Sequence, residues 1–408
     1  MSKRLAIIAK RYADPIPEGH TQASINLINS VLGSELKPRV ISHGRPLTRG
    51  DVHIYKPLDD QVYAVYGMFA IPKFSKTLGA VAFKIHELYR ILISGCLTKG
   101  FDAIYLTNVP MTQYSAFLKL LSKARNKKVK IVAHAFHPYT PEVGLFHGNH
   151  RWLLSHGSTD HVFCINRRLV SHYSGILDPG NVHHVPYPVD TERFKPRDKT
   201  EARKLLRLPE DARIIGYVGH LTLDRGAYDL VEAVGDVSSS HRDLILAIVS
   251  SPFVTEEQYK DFMHHVQKYG VEDKIKILNR RGDYYYNAIF SGFDHIDRFF
   301  NAVDIAALPF RKPYTIIDPP VTLLEAMSSG TPLVTTKAGA IGEVAGGGNS
   351  VLIPPGQEGE LREALDGLLK DDESRGRIGS SARSHMVSNY SLDAIGHRMI
   401  ELFEGIMA

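Results

Sequence analysis

Cysteine is scarce: two residues in 408, Cys96 and Cys164, each alone in an apolar context. Neither sits in a metal-ligand pair or a Cys-x-x-Cys pattern. That excludes a disulfide scaffold and makes a reducing cytosol the expected compartment. No uninterrupted apolar stretch reaches the ~18 residues of a spanning helix. The apolar run in MSKRLAIIAKRYADP is too short for a signal peptide and reads as a first strand. Internal repeats and low-complexity tracts are lacking, and no Asp-x-Asp pair occurs; Asp294 and Asp297 stand three apart.

What is present is ordinary for a globular chain: 43% hydrophobic and 23% charged residues. The length exceeds what one hydrophobic core supports, about 250–300 residues, so two domains are expected. The net charge of +5 conceals an asymmetry. Residues 1–190 hold 23 Lys+Arg against 12 Asp+Glu, whereas 191–408 hold 26 against 32. A basic half is joined to an acidic half.

Short β-branched runs alternate with amphipathic stretches along the chain. Strands are expected at 4–9, 103–109, 129–134, 161–165, 213–219, 244–250, 274–278, 304–308, 332–336 and 350–353. Helices are expected at 22–33, 112–125, 227–237, 256–269, 322–329, 358–370 and 391–408. The alternation predicts parallel sheets with helices on both faces, an α/β class. Prolines and alternating charges mark a hinge near 188–200. The expected division is 1–188, 189–390 and a terminal helix, 391–408. Two doubly wound domains would carry their ligand loops at the strand carboxyl ends, facing an interdomain cleft.

The segment FNAVDIAALPFRKPYTIIDPPVTLLEAMSSGTPLVTT (300–336) is the most informative. A strand ends at Pro309, a loop follows, and a helix starts near Thr322 and Leu323. A helix N-terminus offers unpaired N–H groups and a positive dipole end to phosphate. Glu325 could accept hydrogen bonds from a ribose diol, or simply complement the helix dipole.

The run LLEAMSSGTPLVTT after a DIAALP strand resembles the nucleotide-sugar signature of retaining GT-B glycosyltransferases of family 4, the glycosyl transferases group 1. IIGYVGHLTLDRGAYDLVEAV (214–234) looks like the first strand and helix of that family's donor domain. HHVPYPVDTERFKP (183–196) is similar to its interdomain connection, and KIVAHAFHP (130–138) to its acceptor-domain strand ending in His. The resemblance implies a GT-B fold: an N-terminal acceptor-binding domain, a C-terminal nucleotide-sugar domain, and a last helix returning to the first. It implies sugar transfer from a nucleoside diphosphate sugar to a glycan or lipid-linked acceptor. No protein nucleophile, metal or resident cofactor is implied. A catalytically silent sugar-nucleotide binder and, more remotely, an epimerase are alternatives on the same fold.

The resemblance also implies site residues, with departures. The family has two glutamates eight positions apart; Glu325 matches the second, but Ile317 occupies the first place with Asp318 beside it. Either Asp318 contacts the transferred sugar after a one-residue shift, or backbone N–H groups around Pro320, Val321, Thr322 and Leu323 do so. The family's diphosphate-clamping Arg and Lys correspond to His220 and Arg225 in GHLTLDRG (219–226). Arg225 keeps the charge and can fork onto two oxygens; His220 is cationic only if phosphate raises its pKa. His134 is either a satisfied strand-end histidine or, as the resemblance implies, a contact to the sugar or the reacting centre, while His137 sits at a variable family position. Asn279 and Arg280, after KIKIL, would read the base. PIPEGHTQ (15–22) resembles a glycine loop reduced to Gly19, or is an ordinary loop capped by Thr21. The tyrosine-rich insertion at 283–300 has no family counterpart.

Segment 61–100 is apolar and aromatic, with five Lys/Arg against one Glu. It reads either as a core helix pair or as a peripheral contact with an anionic membrane. Nucleic acid is not expected, because no recognition motif accompanies the basic half. The expected location is cytoplasmic, at a membrane surface if that contact exists.

Overall fold

Five apolar residues in a row at Leu5–Ala9, all fully buried, are what a strand covered on both faces requires. The computed structural model describes residues 4–9, 19–32, 34–36, 38–42, 56–57, 62–64, 99–107, 111–124, 128–136, 150–251, 254–278, 295–313 and 317–408. The chain divides into two units, Met1–Pro188 with Leu392–Ala408, and Val189–Ser391. Among the described residues no helix is long and apolar enough to cross a membrane.

The first unit is built on β1 (Leu5–Ala9), β2 (Arg39–Ser42), β3 (Lys56–Pro57), β4 (Val62–Ala64), β5 (Ala103–Thr107), β6 (Lys130–Ala135), β7 (His161–Cys164) and β8 (Val182–His184). Their order is β3-β4-β2-β1-β5-β6-β7-β8, parallel except for the β3–β4 pair. Order reverses between β1 and β5, which places a topological switch point beyond Ala9 and Thr107. Helices α1 (Gly19–Leu32), α2 (Met111–Ala124), α3 (His150–Ser155) and α4 (Arg167–Ser174) belong to this unit.

The second unit holds β9 (Arg213–Gly219), β10 (Leu244–Ser250), β11 (Ile275–Ile277), β12 (Ile305–Leu308), β13 (Leu333–Thr336) and β14 (Val351–Ile353). They form one parallel sheet, β11-β10-β9-β12-β13-β14, with its switch point between β9 and β12. Around it lie α5 (Lys199–Leu205), α6 (Ala227–Ser238), α7 (Glu256–Lys268), α8 (Ile296–Ala302), α9 (Val321–Ser328), α10 (Glu358–Lys370) and α11 (Asp372–Tyr390). Half-buried Asp304 anchors the start of β12 by accepting from Arg203, Lys199 and the Ile214 N–H at 2.7–2.9 Å.

The last helix, α12 (Leu392–Met407), packs on α1 in the first unit. Gly396 makes the approach possible, because a Cβ there would stand 2.3 Å from Ser30 O. Phe403 joins an aromatic cluster with Tyr105 and Phe163, ring centroids 5.4 Å from each.

Candidate functional site

The loop after β9 and the loop after β12 meet at the second unit's switch point, and a glycine sets their approach. Gly226 has φ +73°, and a Cβ there would lie 2.0 Å from Pro309 O. Further bonds tie the same two loops. Arg311 N–H donates to Asp224 O at 3.0 Å, and Lys312 pairs with Asp224 at 2.9 Å. The Arg311 guanidinium forks onto buried Asp229 in the first turn of α6, at 2.5 and 2.7 Å, and reaches Glu358 at 3.0 Å. Arg311 is therefore fully engaged in structure.

Arg225 stands between these loops, its Cζ 6.0 Å from the Phe310 ring centroid. Burial lowers its pKa, opposed by Tyr217 and Asp224, but a guanidinium stays charged at neutral pH. His220 is half-buried, and burial followed by Arg225 lowers its pKa. That direction favours the neutral ring over a second cation. Its carbonyl accepts from the buried Tyr217 hydroxyl at 2.6 Å, which fixes the turn.

Helix α9 starts at Val321, with Pro320 as its N-cap. Pro320 supplies no side-chain cap, so among the described residues the first-turn N–H groups of Val321 and Thr322 have no capping partner. Leu323 does not fit the binding role expected of it. Its side chain is wholly buried, and its N–H already donates to Pro320 O at 3.2 Å. Glu325 lies one turn deeper and is 8% exposed. Burial pushes its pKa up to about 7, against the lowering influence of Arg193. Among the described residues no donor bonds its carboxylate.

Asp318 is drawn into a third loop: its Oδ1 accepts from Ala340 N–H at 2.7 Å, and its carboxylate packs against Gly339. Thr335 and Thr336 hydroxyls donate to Leu308 O and Phe310 O, joining the ends of β13 and β12. Three consecutive strand ends thus carry one connected set of loops.

His134 departs from its expected role. The Val185 carbonyl can only accept, so Nε2, 2.9 Å away, carries the proton. Nδ1 then accepts from the Tyr105 hydroxyl at 2.5 Å. Both nitrogens are used, the ring is 5% exposed, and burial lowers its pKa to about 3. This is a satisfied core histidine with nothing left for a sugar. Gly19 opens α1 in the first unit. Asn279, Arg280, His137, the loop before Gly19 and nearly all of 61–100 lie outside the described residues, as does 283–294 of the insertion.

Two arginines escaped the sequence reading. Arg193 is the cation felt by Glu325. Arg383 on α11 donates to Thr191 O, Phe194 O and Ser328 O at 2.8–3.0 Å, holding the connecting segment to the end of α9. Arg193 could have been noticed beside the Val189-Asp190 motif. Nothing in the local sequence marks Arg383.

Residues 198–385 match the family model described as Glycosyl transferases group 1. A D-inositol 3-phosphate glycosyltransferase of Corynebacterium glutamicum (strain R) is 27% identical over 250 residues, 59% of this chain and 55% of that protein. One from Stackebrandtia nassauensis is 28% identical over 215 residues, 51% and 45% of the two chains. The chain spans about half the length of the curated relatives it matches. Among solved structures, Anabaena Alr3699/HepE in complex with UDP aligns with TM-score 0.72 at 16% identity, covering 98% of this chain and 100% of that one. Sucrose-phosphate synthase from Thermosynechococcus elongatus aligns with TM-score 0.71 at 16% identity, covering 99% of each. At such identity the likeness shows the fold, and it is the GT-B class expected from the sequence.

Proposed function

We propose, from the match of residues 198–385 to the glycosyl transferases group 1 model, that this chain is a retaining glycosyltransferase using a nucleoside diphosphate sugar. The observation that carries the reading is the switch point of the second unit. Charged Arg225 and the uncapped N–H groups of Val321 and Thr322 stand on loops of the adjacent strands β9 and β12. That set suits a diphosphate, which needs positive charge and convergent donors. HepE was solved with UDP and with UDP-glucose, which supports a donor of this class.

In this reading Glu325 accepts from the ribose hydroxyls, which provide the donors its buried carboxylate lacks. Arg225 and the α9 dipole stabilise charge on the departing diphosphate, with no metal in the scheme. The bond from the anomeric carbon to the diphosphate breaks as the acceptor oxygen bonds that carbon on the same face. The leaving phosphate oxygen takes the acceptor proton, so no protein nucleophile is required. Asp318 acts through Ala340 N–H to position the loop after β13, and the backbone near Val321 and Thr322 recognises the sugar. The first unit is read as the acceptor half, for a glycan or lipid-linked acceptor at a cytoplasmic membrane face.

The test is a panel of nucleotide sugars followed by mass spectrometry. Diphosphate release with sugar transfer is expected, and Arg225→Ala or Glu325→Ala should each lower turnover at least ~100-fold. Wild-type rates in both variants would sink the assignment. Binding without release would identify a silent binder, and isomerised sugar an epimerase.

A further inference from the structure

The parallel register of the first sheet brings the starts of its strands to one edge. Leu5 pairs with Ala103, and Ala103 with Lys130. Lys128 and Lys130 stand exposed at the start of β6, and Lys123 is exposed at the end of α2, just upstream. Among the described residues no acid pairs with Lys123, Lys128 or Lys130. The nearby acids are committed: Asp160 to Lys119 and the Ile131 N–H, Asp102 to the Arg4 N–H. This edge is opposite the carboxyl ends where a doubly wound sheet binds ligands.

Two large apolar side chains accompany these cations. Leu120 is 63% exposed on α2, less than one turn before Lys123. Trp152 is 56% exposed on α3, beside exposed Arg151, and stacks on His156 at 4.4 Å. Helices α2 and α3 touch, and both run down to this edge, α2 toward β6 and α3 toward β7. The Lys119–Asp160 ion pair, at 2.5 Å, ties the end of α2 to the start of β7. Bare cations suit any polyanion, but an exposed leucine and tryptophan among them suit the headgroup boundary of a bilayer, where an apolar body and positive charge are both accommodated.

We propose that the amino-end edge of the first sheet, presented by Leu120, Lys123, Lys128, Lys130, Arg151 and Trp152, docks this protein on an anionic phospholipid surface. The proposal deepens the membrane element of the proposed function, yet it depends on neither the donor site nor segment 61–100. The docking surface and the ligand crevice then belong to opposite ends of one sheet, so the lipid contact is separate from acceptor binding.

Trp152 is the single tryptophan of the sequence, so its fluorescence reports this surface without labelling. Vesicles of phosphatidylcholine with a quarter phosphatidylglycerol should shift the emission to the blue and co-sediment the protein, reversibly with salt. Pure phosphatidylcholine should do neither. Replacing Lys123, Lys128 and Lys130 together by Gln should weaken sedimentation about 100-fold, at about a fivefold loss per cation. Leu120→Gln should weaken it severalfold with the cations intact. Far-ultraviolet circular dichroism and donor turnover, unchanged in all variants, separate loss of docking from loss of folding or chemistry. Sedimentation without a blue shift, equal binding to neutral vesicles, or an emission change produced as well by single-stranded RNA would each overturn the proposal.

Discussion

The two sheets share a winding logic but differ in the charge at their amino ends. In the second unit the amino-end ions are satisfied, with Asp304 bonded to Arg203, Lys199 and Ile214 N–H, and the carboxyl-end loops carry half-buried Arg225. In the first unit Lys123, Lys128 and Lys130 stand exposed at the amino ends, Arg167 and Arg168 stand exposed beyond the carboxyl end of β7, and the carboxyl-end histidine, His134, is buried and fully bonded. The basic character of the first half therefore does not by itself describe an acceptor site. Charge balance summed over a domain says nothing about which end of a sheet carries it.

Acid should separate the units most strongly. Burial lowers His134 from 6.5 to about 3, and His161 and His184 to about 4. The unfolded chain binds these protons near pH 6.5 and the native first unit does not, so its stability falls as pH drops below about 6.5. His134 alone contributes on the order of 3 kcal/mol of that loss by pH 4, at 1.36 kcal/mol per pH unit. In the second unit His220 and His385 act the same way. Glu325, raised from 4.5 to about 7, acts oppositely: its stabilisation is complete below 4.5 and is lost as pH rises through 7. Hydrogen exchange between pH 6.5 and 4.5 should show the first unit losing protection before the second, and Glu325→Gln should narrow the gap. Equal protection throughout would break the contrast.

A smaller effect is expected from His134→Phe. It strands the Tyr105 hydroxyl and the Val185 carbonyl, costing the first unit about 2–4 kcal/mol in a denaturant titration. Nucleotide affinity in the second unit should not change. A loss of kcat without loss of stability would return His134 to the reacting centre. The smallest effect belongs to Asp318→Asn, which keeps an acceptor for Ala340 N–H and should leave stability within ~0.5 kcal/mol. If turnover nevertheless fell ~30-fold with KM unchanged, the carboxylate would be contacting the sugar.

Much of the second unit was legible because its strands are continuous apolar runs. RIIGYVG and LILAIVS appear with the expected bounds, and α9 begins at Val321, one residue before its expected start. Strands β2 and β8 escaped because RVIS and VHH are too short, and VHH too polar, to announce themselves. Helix α11 escaped for another reason: DESRGRIGSSARSHMVSNY has two glycines, five serines and no clear apolar stripe. It owes its place to close packing, since a Cβ on Gly379 would stand 2.1 Å from Gly330 O. Arg225 and Glu325 were readable from motif and spacing. The engagement of His134 was not, because Tyr105 and Val185 are 29 and 51 residues away from it in sequence.

The return of Leu392–Met407 to the first unit also sets an order of events during synthesis. Phe403 completes the aromatic cluster of Tyr105 and Phe163, and Gly396 seats the helix on Ser30. None of this can form until the chain beyond Ser391 has left the ribosome. The roughly 200 residues between take about 10–40 s to make at 5–20 residues per second. Throughout that interval the second unit is itself being made, while the first waits without the helix that packs on α1. The nascent first unit, rather than the finished chain, is then the form most in need of chaperone cover.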